Sequence, residues 1–238
     1  MVHTHNVGTQ TTHRFNAAVT GIFFIVAAAS SIAGLLLYTP LLQPADYLVQ
    51  GALHARHIVS GALLELVLAC SAAGTGIMLF PYLKRYSITM GLGYLVFRLL
   101  EVLFILVGLL CMLSLLSLSK AYTAGGMQFI SSFRPAGVAL RAAHDWTFML
   151  GPNFMLGINT FLYSYVLYRS RLVPRGIAAL GIAGAIIIFA AAIFEMFGIF
   201  NQLSPTGMLM GVPIFLYEMT LAVWLLVKGY DEKQLRVL

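Results

Sequence analysis

Between Ser87 and Leu118 the chain carries only two charged side chains, Arg98 and Glu101, in an otherwise nearly unbroken apolar run. A helix rises 1.5 Å per residue, so about 20 residues span the roughly 30 Å hydrocarbon core of a bilayer. The run is longer than that. The same ruler applied to the whole sequence gives about six spans, at Phe15–Leu42, Gly51–Leu79, Ser87–Leu118, Arg141–Tyr168, Pro174–Phe200 and Met208–Val227. Most exceed the minimum, which predicts tilt.

The composition agrees. Only 9% of the 238 residues are charged and 60% are hydrophobic, against roughly a quarter charged in a soluble domain. The expected fold is an all-α, polytopic membrane bundle, organised as a single integral membrane domain over residues 1–238. No polar stretch is long enough to enclose a second core. The first span lacks a small-residue cleavage pattern after it, so it is expected to be a retained helix. Cys70 and Cys111 both fall inside apolar segments at different depths, too far apart to bridge, and are read as apolar fillers.

The formal net charge of +6 marks topology rather than nucleic-acid binding. Lys84 and Arg85 follow the second span, Arg169, Arg171 and Arg175 follow the fourth, and Lys228, Lys233 and Arg236 lie in the tail. The connections around Asp46 and Asn201 have no Lys or Arg. Both termini are therefore expected to be cytoplasmic, in a bacterial inner membrane. The third connection, Ser119–Leu140, runs against this with Lys120 and Arg134, and its "GGMQFISSF" is expected to be an interfacial or re-entrant piece. Pro40, Pro44, Pro81, Pro135, Pro174 and Pro205 are expected to separate the helices.

Charges at membrane depth cost about 2.5–3.5 kcal/mol each on insertion scales, so each needs a reason. The candidates are Arg56, His57 and Glu65 on the second span, Arg98 and Glu101 on the third, and His144, Asp145, Asn153 and Asn159 on the fourth. Glu195 on the fifth and Glu218 on the sixth complete the set. Helical spacing puts His54, Gly61 and Glu65 on one face, and Tyr94, Arg98 and Glu101 on another. Asp145, Pro152 and Asn159 form a stripe at spacing seven beside His144 and Gly151. Glu195 aligns with Gly184 and Glu218 with Gly211, where small residues permit close helix approach. Pro152 has no N–H to donate, so the carbonyl of Phe148 loses its helical partner and the span is expected to kink.

These faces converge on one polar interior opening toward the outer side. His144, Asp145, Glu65 and Glu101 are the candidate catalytic or proton-handling groups. Arg98, His57, Asn153, Glu195 and Glu218 are the candidate ligand-binding groups. His57, His144 and Glu195 combine imidazole with carboxylate and are the residues a metal would use, although no cofactor is implied. HExxH, P-loop, GxSxG and dinucleotide-binding signatures are absent. Three bland readings stand beside the cavity: a buried Arg98–Glu101 clamp, with one further glutamate, that fixes helix register, Glu195 or Glu218 paired across a subunit interface, and outer histidines that only hydrogen-bond a carboxylate or the headgroup region.

The stretch "HDWTFMLGPN…YVLYRSRLVPRGIAALGIAGA" (His144–Ala185) resembles a bacterial membrane-protein family known as domain of unknown function 4386. "THRFNAAVTGIFFIVAAASSIAG", carrying Arg14, resembles that family's opening span, and "FRLLEV" resembles its Phe-Arg-x-x-Glu motif. The resemblance implies an integral membrane protein of six or seven helices and no particular activity. It places Arg98, Glu101, His144 and Asp145 in family motifs. Three functions are compatible: a cavity that binds or processes a small hydrophobic or lipid-like molecule, a proton-coupled carrier, or an accessory subunit of a larger membrane complex. The expected partners are the bilayer, a lipid-like ligand and a further subunit or second copy, not nucleic acid.

Overall fold

The computed structural model describes the backbone of residues 3–125 and 130–238, and side chains from residues 11–125 and 133–238. It is all-α. The helices are α1 (His3–Leu37), α2 (Thr39–Leu42), α3 (Tyr47–Leu53), α4 (Ala55–Tyr86) and α5 (Ile88–Ala124). They continue with α6 (Ile130–Met149), a π turn (Leu150–Met155), α7 (Leu156–Ser170), α8 (Arg175–Met196), α9 (Pro205–Val227) and α10 (Glu232–Leu235). Residues 126–129, the middle of the stretch expected to be interfacial or re-entrant, lie outside the described residues.

Among the described residues, five helices are long and apolar enough to cross a bilayer: Thr11–Leu37 of α1, then α4, α5, α8 and α9. The chain is thus a multi-pass membrane protein. The segment expected at 141–168 is not among the five: the π turn divides it into a 15-residue α7 and α6, which carries Arg134, Arg141 and Asp145. Close contacts show that these pieces nonetheless run antiparallel to α5 as one member. Gly93 faces Leu162, Glu101 bonds Asn159, and Gly108 faces Thr147.

The same test places every neighbour. Gly34 meets Gly61 between α1 and α4, and Gly91 meets Lys84 between α5 and α4. Gly157 meets Phe189 between α7 and α8, Gly184 meets Ile214 between α8 and α9, and Gly21 meets Ala222 between α1 and α9. The bundle is a closed ring of antiparallel members in the order α1, α4, α5, α6–α7, α8, α9. The ring closes where Arg14 of α1 donates to the carbonyls of Leu226 (3.0 Å) and Val227 (2.6 Å) at the end of α9. A cation is favoured there, because the last helical carbonyls lack partners and carry the negative end of the dipole.

The sequence dictates which faces close the ring. On α5, Leu92, Val96, Leu99, Leu103, Val107 and Leu110 are exposed, while Tyr94, Arg98, Glu101, Ile105, Gly108 and Met112 are buried on the other side. In lipid the apolar stripe can stay outside, and the polar residues must find partners inside. One apolar core, built on Phe24, Tyr94, Tyr163 and Tyr217, fills the end of the ring near Arg175 and Lys228, the basic end. A second core joins α2 and α3 to the opposite ends of α4 and α5 through Tyr38, Leu41, Leu48 and Met112.

Several expectations are corrected. Pro81 and Pro135 lie inside α4 and α6 rather than between helices; bundles tolerate such prolines when neighbouring groups satisfy the freed carbonyl. The first span ends at Leu37, and Gly51 belongs to α3 rather than α4. A Cβ at Gly184 would lie 3.1 Å from the Ile214 backbone, so close approach holds there, whereas one at Gly211 would meet nothing within 4 Å. Both cysteines are free, and Cys70 is exposed on the outside of the ring rather than filling it.

Candidate functional site

The polar interior begins with Arg98. Gly76 opposite leaves room for its stem, 3.5 Å from where a Cβ would stand. Its Nη1 donates to Glu101 Oε2 at 2.9 Å, one helical turn on. Its Nε donates to Thr75 Oγ1 (3.0 Å) and to the Ala72 carbonyl (3.2 Å) on α4. Asn159 Nδ2 of α7 donates to the same Glu101 oxygen at 2.6 Å and to the Met155 carbonyl at 2.9 Å. Arg98 and Glu101 are 3% and 5% exposed. This network ties α4, α5 and α7 together. Glu218 on α9 lies within electrostatic reach of both, and its Oε1 has no hydrogen-bond partner among the described residues.

A second group lies toward the opposite end. Tyr38 donates to Glu65 Oε2 at 2.8 Å. The buried ring of His144 stands edge-on to Tyr38 at 6.4 Å and stacks on Phe148 at 5.8 Å. Glu65 and His144 share a cavity of about 20 Å³ with Ser31, Gly108, Thr147 and Pro152. That volume suits one water, which needs about 10–15 Å³ and polar partners.

The third group explains the broken span. Pro152 cannot donate to Phe148, and the chain widens into the π turn at that point. Gln202, from the loop between α8 and α9, donates to the Phe148 carbonyl at 3.4 Å and to Asn153 Oδ1 at 3.1 Å. Asn153 Nδ2 in turn donates to Glu195 Oε2 at 2.8 Å. The π turn also changes which residues face inward. Among the buried residues of this member, His144, Gly151 and Asn159 stand at spacings of seven and then eight. The expected stripe of Asp145, Pro152 and Asn159 fails at Asp145, while half-buried Pro152 lines the Glu65–His144 cavity; the wider turn inserts one residue into the helical count. Asp145 is exposed, with a weak 3.4 Å contact from its Oδ1 to His144 Nδ1.

Beside these residues a recess of about 320 Å³ opens at the end away from the basic turns. Its polar wall is Arg141, His144, Asp145, Glu195, Asn201 and Gln202, and its apolar wall includes Trp146, Phe148, Phe200 and Leu203. Arg141 is held by the Leu42 carbonyl and by the Tyr47 ring, 4.7 Å from its guanidinium carbon. His144 lines both this recess and the one-water cavity.

The structure therefore brings His144, Asp145, Asn153 and Glu195 together, sets Glu65 beside His144, and holds Arg98 and Glu101 in a separate clamp. His57 stands apart, exposed and stacked on His54 at 5.7 Å. Among the described residues, no group of three or more His, Cys, Asp or Glu side chains is disposed to hold a metal ion, so His57 does not join His144 and Glu195. Sequence reasoning missed Tyr38, Thr75, Arg141 and Gln202 as partners. One signal for Gln202 was present: the carbonyl freed by Pro152 required a donor from somewhere.

Compared with known proteins, residues 19–229 match the family model described as Domain of unknown function (DUF4386). No curated protein and no solved structure matches significantly.

Proposed function

We propose a function from the chain's own residues, since the chain belongs to the DUF4386 family, whose description carries no activity. In this reading the recess binds a small amphipathic, lipid-like molecule. The observation that carries it is the two-sided wall: charged and amide groups on one side, Trp146, Phe148, Phe200 and Leu203 on the other. Pockets for small ligands begin near about 300 Å³ and pair apolar walls with a few polar groups. Arg141 and His144 would meet an acidic or hydroxyl head, and Glu195 and Asp145 a donor. Arg98, Glu101, Thr75 and Asn159 position the helices behind the site. If chemistry occurs, His144 is the general base or acid, because of the two side chains that line both the recess and the Glu65 cavity, His144 and Phe148, only the imidazole can carry a proton. The protein sits in a bacterial inner membrane as one integral domain with both termini cytoplasmic, a reading supported by the basic turns.

The test is to purify the full chain in mild detergent and identify co-purifying small molecules by mass spectrometry. His144→Phe, which keeps the ring stack, and Leu203→Trp, which fills the mouth, should each lose an amphiphile that the wild type retains. An identical set of molecules in all three proteins refutes the reading.

A proton-coupled carrier is the second reading, favoured by the water-sized cavity between Glu65 and His144. The tyrosine-rich core closes the ring toward the basic end, so a carrier would have to part α1, α5 and α9 there. Uptake into proteoliposomes that ignores a pH gradient would exclude it. An accessory subunit, or a second copy paired through the membrane acids, would instead co-purify with its partner in mild detergent.

A further inference from the structure

We propose that the basic end of the bundle carries a built site for the phosphate group of an anionic phospholipid, separate from the recess. The site is a cavity of about 610 Å³ between the α7–α8 turn and the α9–α10 turn. Arg171 and Arg175 line it from one side and Lys228 from the other, with Trp224, Tyr230 and Asp231 completing the wall. Its two walls are latched together by the Asp231 N–H, which donates to the Leu172 carbonyl at 2.9 Å.

Charge is unbalanced there. Among the described residues Arg171, Arg175 and Lys228 make no ion pair. The one lining carboxylate, Asp231, is already engaged, its Oδ1 accepting from the Lys233 and Gln234 N–H groups at 2.9 and 3.2 Å. Three cations thus face one cavity and one capped acid.

The backbone supports the same conclusion. Arg171 is the only non-glycine residue with positive φ among the described residues, at φ 57°. That left-handed position at a helix end normally goes to glycine or asparagine. An arginine there accepts backbone strain, which persists where the side chain is used. Arg175 is steadied by the Tyr168 ring, 5.4 Å from its guanidinium carbon.

The surroundings favour a lipid over a soluble anion. Trp224 and Lys228 line the cavity, and Val223 and Val227, one position before each on α9, are exposed apolar residues where an acyl chain can lie. Tryptophan at the headgroup level and basic pockets between helices both suit anionic lipids.

The full chain, purified in detergent, is titrated with phosphatidylglycerol or with phosphatidylcholine of the same acyl chains, and bound lipid is counted by native mass spectrometry. Wild type should prefer phosphatidylglycerol. Arg175→Gln and Lys228→Gln alter exposed side chains without ion pairs, so folding should persist, and each should weaken that preference about fivefold. The triple variant with Arg171→Gln should weaken it on the order of a hundredfold. Lys84→Gln/Arg85→Gln, outside the cavity, should leave it unchanged. Equal binding of both lipids, or equal loss in the control, overturns the site. Inorganic phosphate at millimolar concentration should not displace the lipid; if it does, the occupant is a soluble phosphate and the lipid assignment fails.

Discussion

Removing Arg98 or Glu101 singly should harm this protein far more than removing both. At 2.9 Å and an effective dielectric near 20, the pair's Coulomb attraction is about 6 kcal/mol. Most of that offsets the cost of keeping two charges in a site only 3% and 5% exposed. Arg98→Met strands a carboxylate whose remaining donor is Asn159, and should destabilise by about 4–5 kcal/mol. Glu101→Leu is milder, about 3 kcal/mol, because Arg98 keeps Thr75, the Ala72 carbonyl and the field of Glu218. The double variant leaves neither member of the pair as an uncompensated charge: Thr75 still donates to Ala72, Asn159 still donates to Met155 with one of its two N–H groups, and the loss of Arg98 beside Glu218 is part of the residual cost. It should lie within about 2 kcal/mol of wild type, a coupling of roughly 5 kcal/mol. Unfolding in dodecylmaltoside micelles, followed by Trp146 and Trp224 fluorescence, measures all four proteins. Additive effects, or a double variant as damaged as Arg98→Met, would refute the clamp.

Gln202→Leu should cost about 2–3 kcal/mol in the same assay, since it strands the Phe148 carbonyl and the Asn153 side-chain oxygen. Gly21→Val and Gly211→Val form a contrasting pair. The first places a Cβ 2.6 Å from the Ala222 carbonyl oxygen and should lose about 1–3 kcal/mol, while the second meets open space and should lose under about 1 kcal/mol. Arg14→Ala should remove about 2 kcal/mol and raise amide exchange at Lys228 and Gly229, because its two hydrogen bonds tie α1 to the last carbonyls of α9.

The membrane class, the α-helical fold and the position of most crossings follow from the sequence alone. Hydropathy is a sum over one segment, so it needs no knowledge of neighbours. The Arg98–Glu101 pair was legible for the same reason, since both partners sit on one helix three residues apart. So was the need for a break at Pro152, which is a local consequence of a missing N–H.

What came only from the tertiary structure lies across helices. Asn159 and Thr75 complete the clamp from two other members of the ring, and Gln202 answers Pro152 from a loop far along the chain. The π turn inserts one residue into the helical count, so that His144 rather than Asp145 stands inward in line with Gly151 and Asn159. Periodicity assumes 3.6 residues per turn and cannot register that slip. Gly184 and Gly211 read alike as small residues on a polar face, yet only Gly184 meets another backbone. A residue's spacing fixes its direction around its own axis; the packing of the other helices decides what stands in that direction.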